Sequence, residues 1–349
     1  MCKSLFIAIL LLGVGSLFAL GQKQSKPTSM AGAVPRNIHK VEELTAPQLD
    51  AFSREKTLFI LPVGTLEEHG PHLPIGTDSL LVMFRVSRVS EQASLALPDW
   101  NIVLMPPVNY GEGGANEIGG IHVHPGTYGI RQTTLRSIIA DVGGQIAHNR
   151  FKWIFVVHGH GGRNHNVAIS EACDFVSETY SVTMLNLTSI LWADAEAQAK
   201  ADKISGRYYS PAEINSFGLD LHAGVGETSD MLAVRPDLVS PAYKNLPSQS
   251  GKNMAELRQI ASARGWPGYF SSPARASAVY GKDKSDLMIG VLTDYILRTV
   301  RSENMSGRPR FPTHLPKDPA TVESNRASLD YETSFGEKLE RWLTQRKKQ

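Results

Sequence analysis

The stretch from Leu58 to Asp78, LFILPVGTLEEHGPHLPIGTD, limits most tightly what this chain can fold into. It opens with an apolar run, Leu58 to Val63, closed by Gly64. A short apolar run bounded in this way predicts a strand buried on both faces of a parallel sheet. Glu67, Glu68, His69, His72 and Asp78 follow directly, set among Gly70, Pro71, Pro74 and Gly76. Open α/β sheets carry their sites just beyond the carboxyl ends of strands. Glu67 and His69 are two apart, so an extended backbone turns both to the same side. A carboxylate beside an imidazole suits zinc, or a borderline metal such as manganese or iron. Asp78 stands after a Gly/Pro turn at the head of a helical run. There it reads either as an N-cap or as a carboxylate whose two oxygens bridge two ions.

The same pattern returns further along the chain. Asn101 to Val108 is a second apolar strand, and it leads into a glycine-rich loop, Tyr110 to Gly126, holding Glu112, His122 and His124. Trp153 to Val157 is a third strand and ends in His158, Gly159, His160, Gly161 and Gly162. Val182 to Leu187 is a fourth. His222 and Glu227 flank small residues ahead of a helical run that Pro236 stops. Helical periodicity marks Val41 to Phe52, Asp78 to Leu97, Thr127 to Asn149, Asn166 to Glu178, Ile190 to Lys203 and Ser285 to Val300. Pro241 to Arg275 reads as irregular. Strands alternating with helices predict an α/β fold, a mainly parallel sheet covered on both faces.

The chain has 349 residues, 42% of them hydrophobic, and a formal net charge of +2. That suffices for one large domain and offers no basic surface for nucleic acid. Lys3, the apolar run from Leu5 to Leu20 and the small residues before Gln22 predict a secretory signal peptide over residues 1–21. The run of about 16 residues is short of the roughly 20 a membrane span needs, which disfavours a retained anchor. The expected product is secreted or periplasmic, with no stable membrane association after cleavage. Residues 22–40 read as a flexible leader, 41–304 as the working domain and 305–349 as a charged extension with a short helix near Phe335 to Leu343. After signal removal Cys173 is the only cysteine, so no internal disulfide is expected.

Several motifs together resemble the creatininase family of metal-dependent amidohydrolases. They are Pro62 to Pro74 with Gly76-Thr77-Asp78, His124-Pro125-Gly126-Thr127, Gly159-His160-Gly161 with Asn164 nearby, and His222 to Ser229. The resemblance, which runs from about Leu44 to Val300, implies a three-layer αβα sandwich with a mostly parallel sheet. It also implies two divalent metal ions and a small cyclic or acyclic amide as substrate. By resemblance Glu67 and His160 hold one ion, His69 the other, and Asp78 bridges them. The ions are zinc, or manganese or iron in one site. The family places a glutamate two residues after the His160 position; here Gly162 stands there, and Glu227 is the nearest replacement. His222 is expected to hand a proton to the leaving nitrogen, as a side chain titrating near neutral pH. His124, Gly161 and His158 are assigned to the substrate side, with His158 as a hydrogen-bonding neighbour of the ligands.

Creatinine-cleaving members carry a tyrosine and a tryptophan where this chain has Gly161 and Gly218. The expected activity is therefore hydrolysis of an amide other than creatinine, with a formamide or short peptide as alternatives. Any aromatic contact would have to come from elsewhere, such as Trp192 or Trp266. A non-catalytic metal- or ligand-binding protein is the reading from another class. The resemblance also implies a homo-oligomer, with hexamers as precedent.

Overall fold

The computed structural model describes residues 37–114, 118, 125–311 and 319–347. The expected signal peptide, nearly all of the expected leader, and His124 lie outside the described residues. Five strands form one parallel sheet: β1 (Ile38–Lys40), β2 (Thr57–Val63), β3 (Asn101–Leu104), β4 (Trp153–His158) and β5 (Thr183–Asn186). Their spatial order is β1-β3-β2-β4-β5. The helices are α1 (Ala46–Asp50), α2 (Thr77–Ala96), α3 (Gln132–His148), α4 (Arg163–Tyr180), α5 (Leu187–Ala193) and α6 (Ala195–Tyr208). They continue as α7 (Pro211–Phe217), α8 (Val225–Val234), α9 (Met254–Ser262), α10 (Ala278–Val300) and α11 (Pro319–Arg346).

All seven residues of β2 are buried, as a central strand of a covered sheet requires. Its side chains alternate between the two faces. Leu58 and Ile60 pack with Val82, Val86 and Val89 of α2, Leu187 and Ile190 of α5, and Leu292 and Ile296 of α10. Phe59, Leu61 and Val63 pack with Leu135 and Ile139 of α3 and Ile169 and Val176 of α4. Two apolar layers therefore clamp one sheet, which is the three-layer αβα sandwich. Each such side chain taken out of water contributes roughly 1.5–3 kcal/mol, so these layers dominate the stability.

The topology fixes where a site can form. After β2 the chain crosses to β3 on one side, and after β4 it crosses to β5 on the other. The carboxyl ends of β2 and β4 thus flank the switch point, where the loops part and leave a crevice. Buried charges fix the helices around it. Arg85 of α2 donates to Asp230 of α8 at 2.7 Å, and Lys284 of α10 reaches the same carboxylate oxygen at 3.1 Å. This rosette holds α8 against α2 at a set register.

Gly159, just past β4, donates its N–H to the Val63 carbonyl at 3.1 Å. A Cβ at that position would fall 2.5 Å from the backbone oxygen of Asp78. The first turn of α2 rests directly on this glycine. Gly159→Ala is therefore expected to destabilise the fold by about 1–3 kcal/mol, by forcing two backbones apart. Denaturant titration of the purified variant measures it, and an unchanged midpoint would contradict the packing described.

Five sequence expectations need correction. Ile38–Lys40 belongs to the sheet as an edge strand, with Ile38 opposite Ile102, and not to a flexible leader. The segment Val41 to Phe52 is a short 3-10 turn followed by the five-residue α1, begun at Thr45 and Pro47. The single helix expected over Ile190 to Lys203 is two, α5 and α6, broken at Asp194. That carboxylate caps α6 by accepting the N–H groups of Glu196 and Ala197. Pro241 to Arg275 contains α9, and the expected short C-terminal helix is the 28-residue α11. Glu332 on α11 accepts the backbone N–H groups of Gln132 and Thr133 and so caps α3 from outside. No described helix is long and apolar enough to cross a membrane.

Candidate metal centre

The loop after β2 is closed by its own backbone. Glu67 N–H donates to the Ile75 carbonyl at 2.9 Å, and Ser79 Oγ donates to the Thr65 carbonyl at 3.0 Å. Asp78 is the second residue of α2, two past the cap Gly76, so it is not the N-cap that the sequence also offered. Its carboxylate is buried and turned into the crevice. His160 arrives from the end of β4. His222 lies in the loop before α8, and Glu227 lies in the first turn of α8. Glu227 Oε2 also accepts the N–H of Ala223 at 2.6 Å, so it serves the helix start as well.

Six predicted residues meet here. His69 Nε2 stands 3.5 Å from Glu227 Oε2 and 3.8 Å from Asp78 Oδ1. His160 Nδ1 stands 3.0 Å from Glu67 Oε2 and 3.4 Å from Asp78 Oδ2. His222 Nδ1 is 3.5 Å from Glu67 Oε1. Two donors each about 2.1 Å from one tetrahedral ion sit roughly 3.4 Å apart, so most of these separations are what an ion between the groups would set. Three overlapping donor sets result: Glu67, Asp78 and His160; His69, Asp78 and Glu227; and Glu67, His69 and His222. Asp78 belongs to two of them, presenting a different oxygen to each.

The imidazoles are prepared for this. His69 Nδ1–H donates to the Glu67 carbonyl at 2.9 Å, which leaves the Nε2 lone pair facing the carboxylates. That Nε2 is buried and makes no hydrogen bond. The charge balance asks for a cation. Burial opposes charge on His69, yet Glu227, Asp78 and Glu67 raise its pKa to about 9. His160 is raised well above its ordinary value, against burial, by Glu67 and Asp78. Glu227 is pushed up to about 7 by burial and by Asp78 and Glu67, against the pull of His69. Burial would raise Glu67 too, but His222, His160 and His69 hold it well below the usual carboxylate range. Without a metal, borrowed protons balance the clustered carboxylates. A divalent ion would replace them, and the donor set fits one.

His222 departs from expectation. Burial pushes it down to about 4, against the attraction of Glu67, so it rests as neutral imidazole. Its Nε2–H donates to the Glu68 carbonyl at 2.8 Å, and its ring lies 4.3 Å from that of His69. It must take up a proton before it can give one.

A cavity of about 720 Å³ opens on this cluster, lined by Glu67, His160, His222 and Glu227. Gly161 lines it, and a Cβ there would meet nothing within 4 Å. Gly218 is not among the lining residues. Its φ is +69°, and a Cβ would strike the Gly251 carbonyl at 2.5 Å, so no aromatic side chain fits there. His158 lies behind the wall, with Nδ1–H donating to the His160 carbonyl at 3.0 Å, a support for that loop and not a face of the cavity. Trp266 is buried and stacked on Phe270, away from the cavity, whereas Trp192 lines it. Two buried neighbours carried no assignment from sequence. Glu112 lines the cavity and accepts from Asn164 Nδ2 at 3.4 Å. His165 stands edge-on to His160, ring centres 5.0 Å apart. Only its place in the histidine run after β4 hinted at it.

A parallel αβα sandwich with buried carboxylates and imidazoles at its switch point defines a metal-dependent hydrolase type of site. The profile of the creatininase family, described as creatinine amidohydrolase, matches residues 42–296, and the chain belongs to that family. It is a creatininase-family amidohydrolase, a hydrolase of carbon–nitrogen bonds. Creatinine amidohydrolase of Pseudomonas putida is 26% identical, over 75% of this chain and 96% of its own length. Mycofactocin precursor peptide peptidase of Mycolicibacterium smegmatis is 26% identical, over 69% of this chain and 85% of its own. A solved mutant creatininase of Zn–Zn type superposes with a TM-score of 0.57 at 24% identity, over 75% of this chain and 98% of that one.

Proposed function

We propose that this chain hydrolyses a small acyclic or cyclic amide other than creatinine, using two divalent ions at the switch point. One observation carries the reading. The buried Asp78 carboxylate turns Oδ1 to His69 and Oδ2 to His160, so one side chain joins two donor sets. Glu67 and His160 would hold one ion, and His69 and Glu227 the other. When bound, such ions polarise an amide carbonyl and lower the pKa of water toward neutrality.

The protein's own groups do the rest. His69 is oriented by the Glu67 carbonyl and His160 by Glu67 and Asp78. His222, held by the Glu68 carbonyl, has Nδ1 facing the cluster, where it takes a proton from the attacking water and returns it to the leaving nitrogen. Burial favours the neutral imidazole that this role needs at the start.

The substrate side argues for something larger than creatinine. Neither glycine offers an aromatic face, and a relative named as a peptide peptidase is as similar in sequence as the creatinine amidohydrolase. The one aromatic pair missing from the cavity wall, at Gly161, is worth roughly 0.5–1.5 kcal/mol and weakens creatinine binding by about two- to tenfold. Creatinine is expected to give a lower kcat/KM than at least one formamide, N-acyl amino acid or dipeptide at equal metal loading. Creatinine as the best substrate of that panel would overturn the assignment.

A further inference from the structure

The cavity does not end at the carboxylates and imidazoles. Its farther wall contains Trp192 at the end of α5, Leu287 and Met288 of α10, and Phe311. The rings of Trp192 and Phe311 meet edge-on, centres 5.4 Å apart. Both are only partly buried, so each keeps a face toward the opening. Side chains whose sole task was packing would close on one another and leave no such space.

Both rings are held in place. Trp192 stands edge-on to His158 at 5.1 Å, and His158 is bonded to the His160 carbonyl. The aromatic wall is thereby tied to the loop that carries a proposed ligand. Phe311 N–H donates to Ser189 Oγ at 3.1 Å, and its neighbour Arg310 grips both oxygens of Asp174 at 2.7 Å. The family match ends at residue 296, so Phe311 comes from a segment beyond it.

We infer that Trp192 and Phe311 form a subsite for an apolar or aromatic group on the substrate, so that the preferred amide carries an extended apolar arm. The inference rests on the amidohydrolase reading and names its substrate class. Gly161 supports it, because the open space beside that residue leaves the way from the cluster clear. The arm lies against the rings while its carbonyl reaches the centre.

The test uses the full-length, metal-loaded protein and two metal-chelating probes, acetohydroxamate and 4-phenylbutyrohydroxamate, with affinity read by calorimetry. Binding by this readout does not depend on turnover. The wild-type protein is expected to prefer the aryl probe by roughly tenfold or more, and Phe311→Ala to lose most of that preference. Phe311→Leu, which keeps apolar volume and guards against misfolding, is expected to lose several-fold. Trp192→Ala should act in the same direction as Phe311→Ala. Equal affinities for the two probes in the wild type, or a preference intact in all three variants, would overturn the subsite and leave the centre standing. Failure of both probes to bind would remove the centre and the subsite together.

Discussion

Asp78→Ala is expected to come out of reconstitution with little divalent metal, and its amide hydrolysis is expected to fall by about 10²–10³-fold or more. The carboxylate serves both pairs, so its loss leaves Glu67 with His160 and His69 with Glu227, two donors each. Two donors hold an ion far less well than three or four. Metal is expected to raise the Tm of the wild type and to leave that of Asp78→Ala nearly unchanged, because only the wild type holds the ions. Elemental analysis beside thermal melts tests both parts. A full metal complement in Asp78→Ala would sink the bridging role.

The second large effect concerns His222. His222→Ala is expected to keep its metal and lose about 10²–10⁴-fold in kcat, the range for a positioned proton carrier. The ring is fixed by the Glu68 carbonyl at 2.8 Å, and Nδ1 is the atom left facing the cluster. A rival role is visible in the same geometry, since His222 also shares a donor set with Glu67 and His69. If it holds an ion, the substitution will lower metal content in step with activity. Metal content and kcat measured on one preparation separate the two roles, and parallel loss would refute the proton-carrier role.

The parts of this fold visible in the sequence share one physical cause. β2 and β4 are buried on both faces, so they are unbroken apolar runs, and the polar residues after them stand out against that background. Glu67, His69, Asp78 and His160 stand out for this reason, whereas His158, placed on the substrate side from sequence, lies behind the wall. Asp194 was not legible, because its break in the helix depends on partners distant in sequence. Tyr295 donates to it at 2.6 Å, and Arg308 reaches it at 3.4 Å. β1 is three residues long and takes its order from pairing with β3, so no local pattern marks it. The low pKa of His222 follows from burial by elements remote in sequence, and a motif does not carry that information. Trp192 and Phe311 are far apart in the chain and join only through the packing of α5 against the segment after α10.

Metal stoichiometry of the wild-type protein bears most directly on the central claim. Purified full-length protein would be stripped with chelator, reloaded with zinc or manganese, desalted and analysed for metal per chain. The account predicts close to two ions per chain, since Asp78 turns one oxygen to each of two imidazoles. A value of one or below, under conditions that saturate binding, would contradict it.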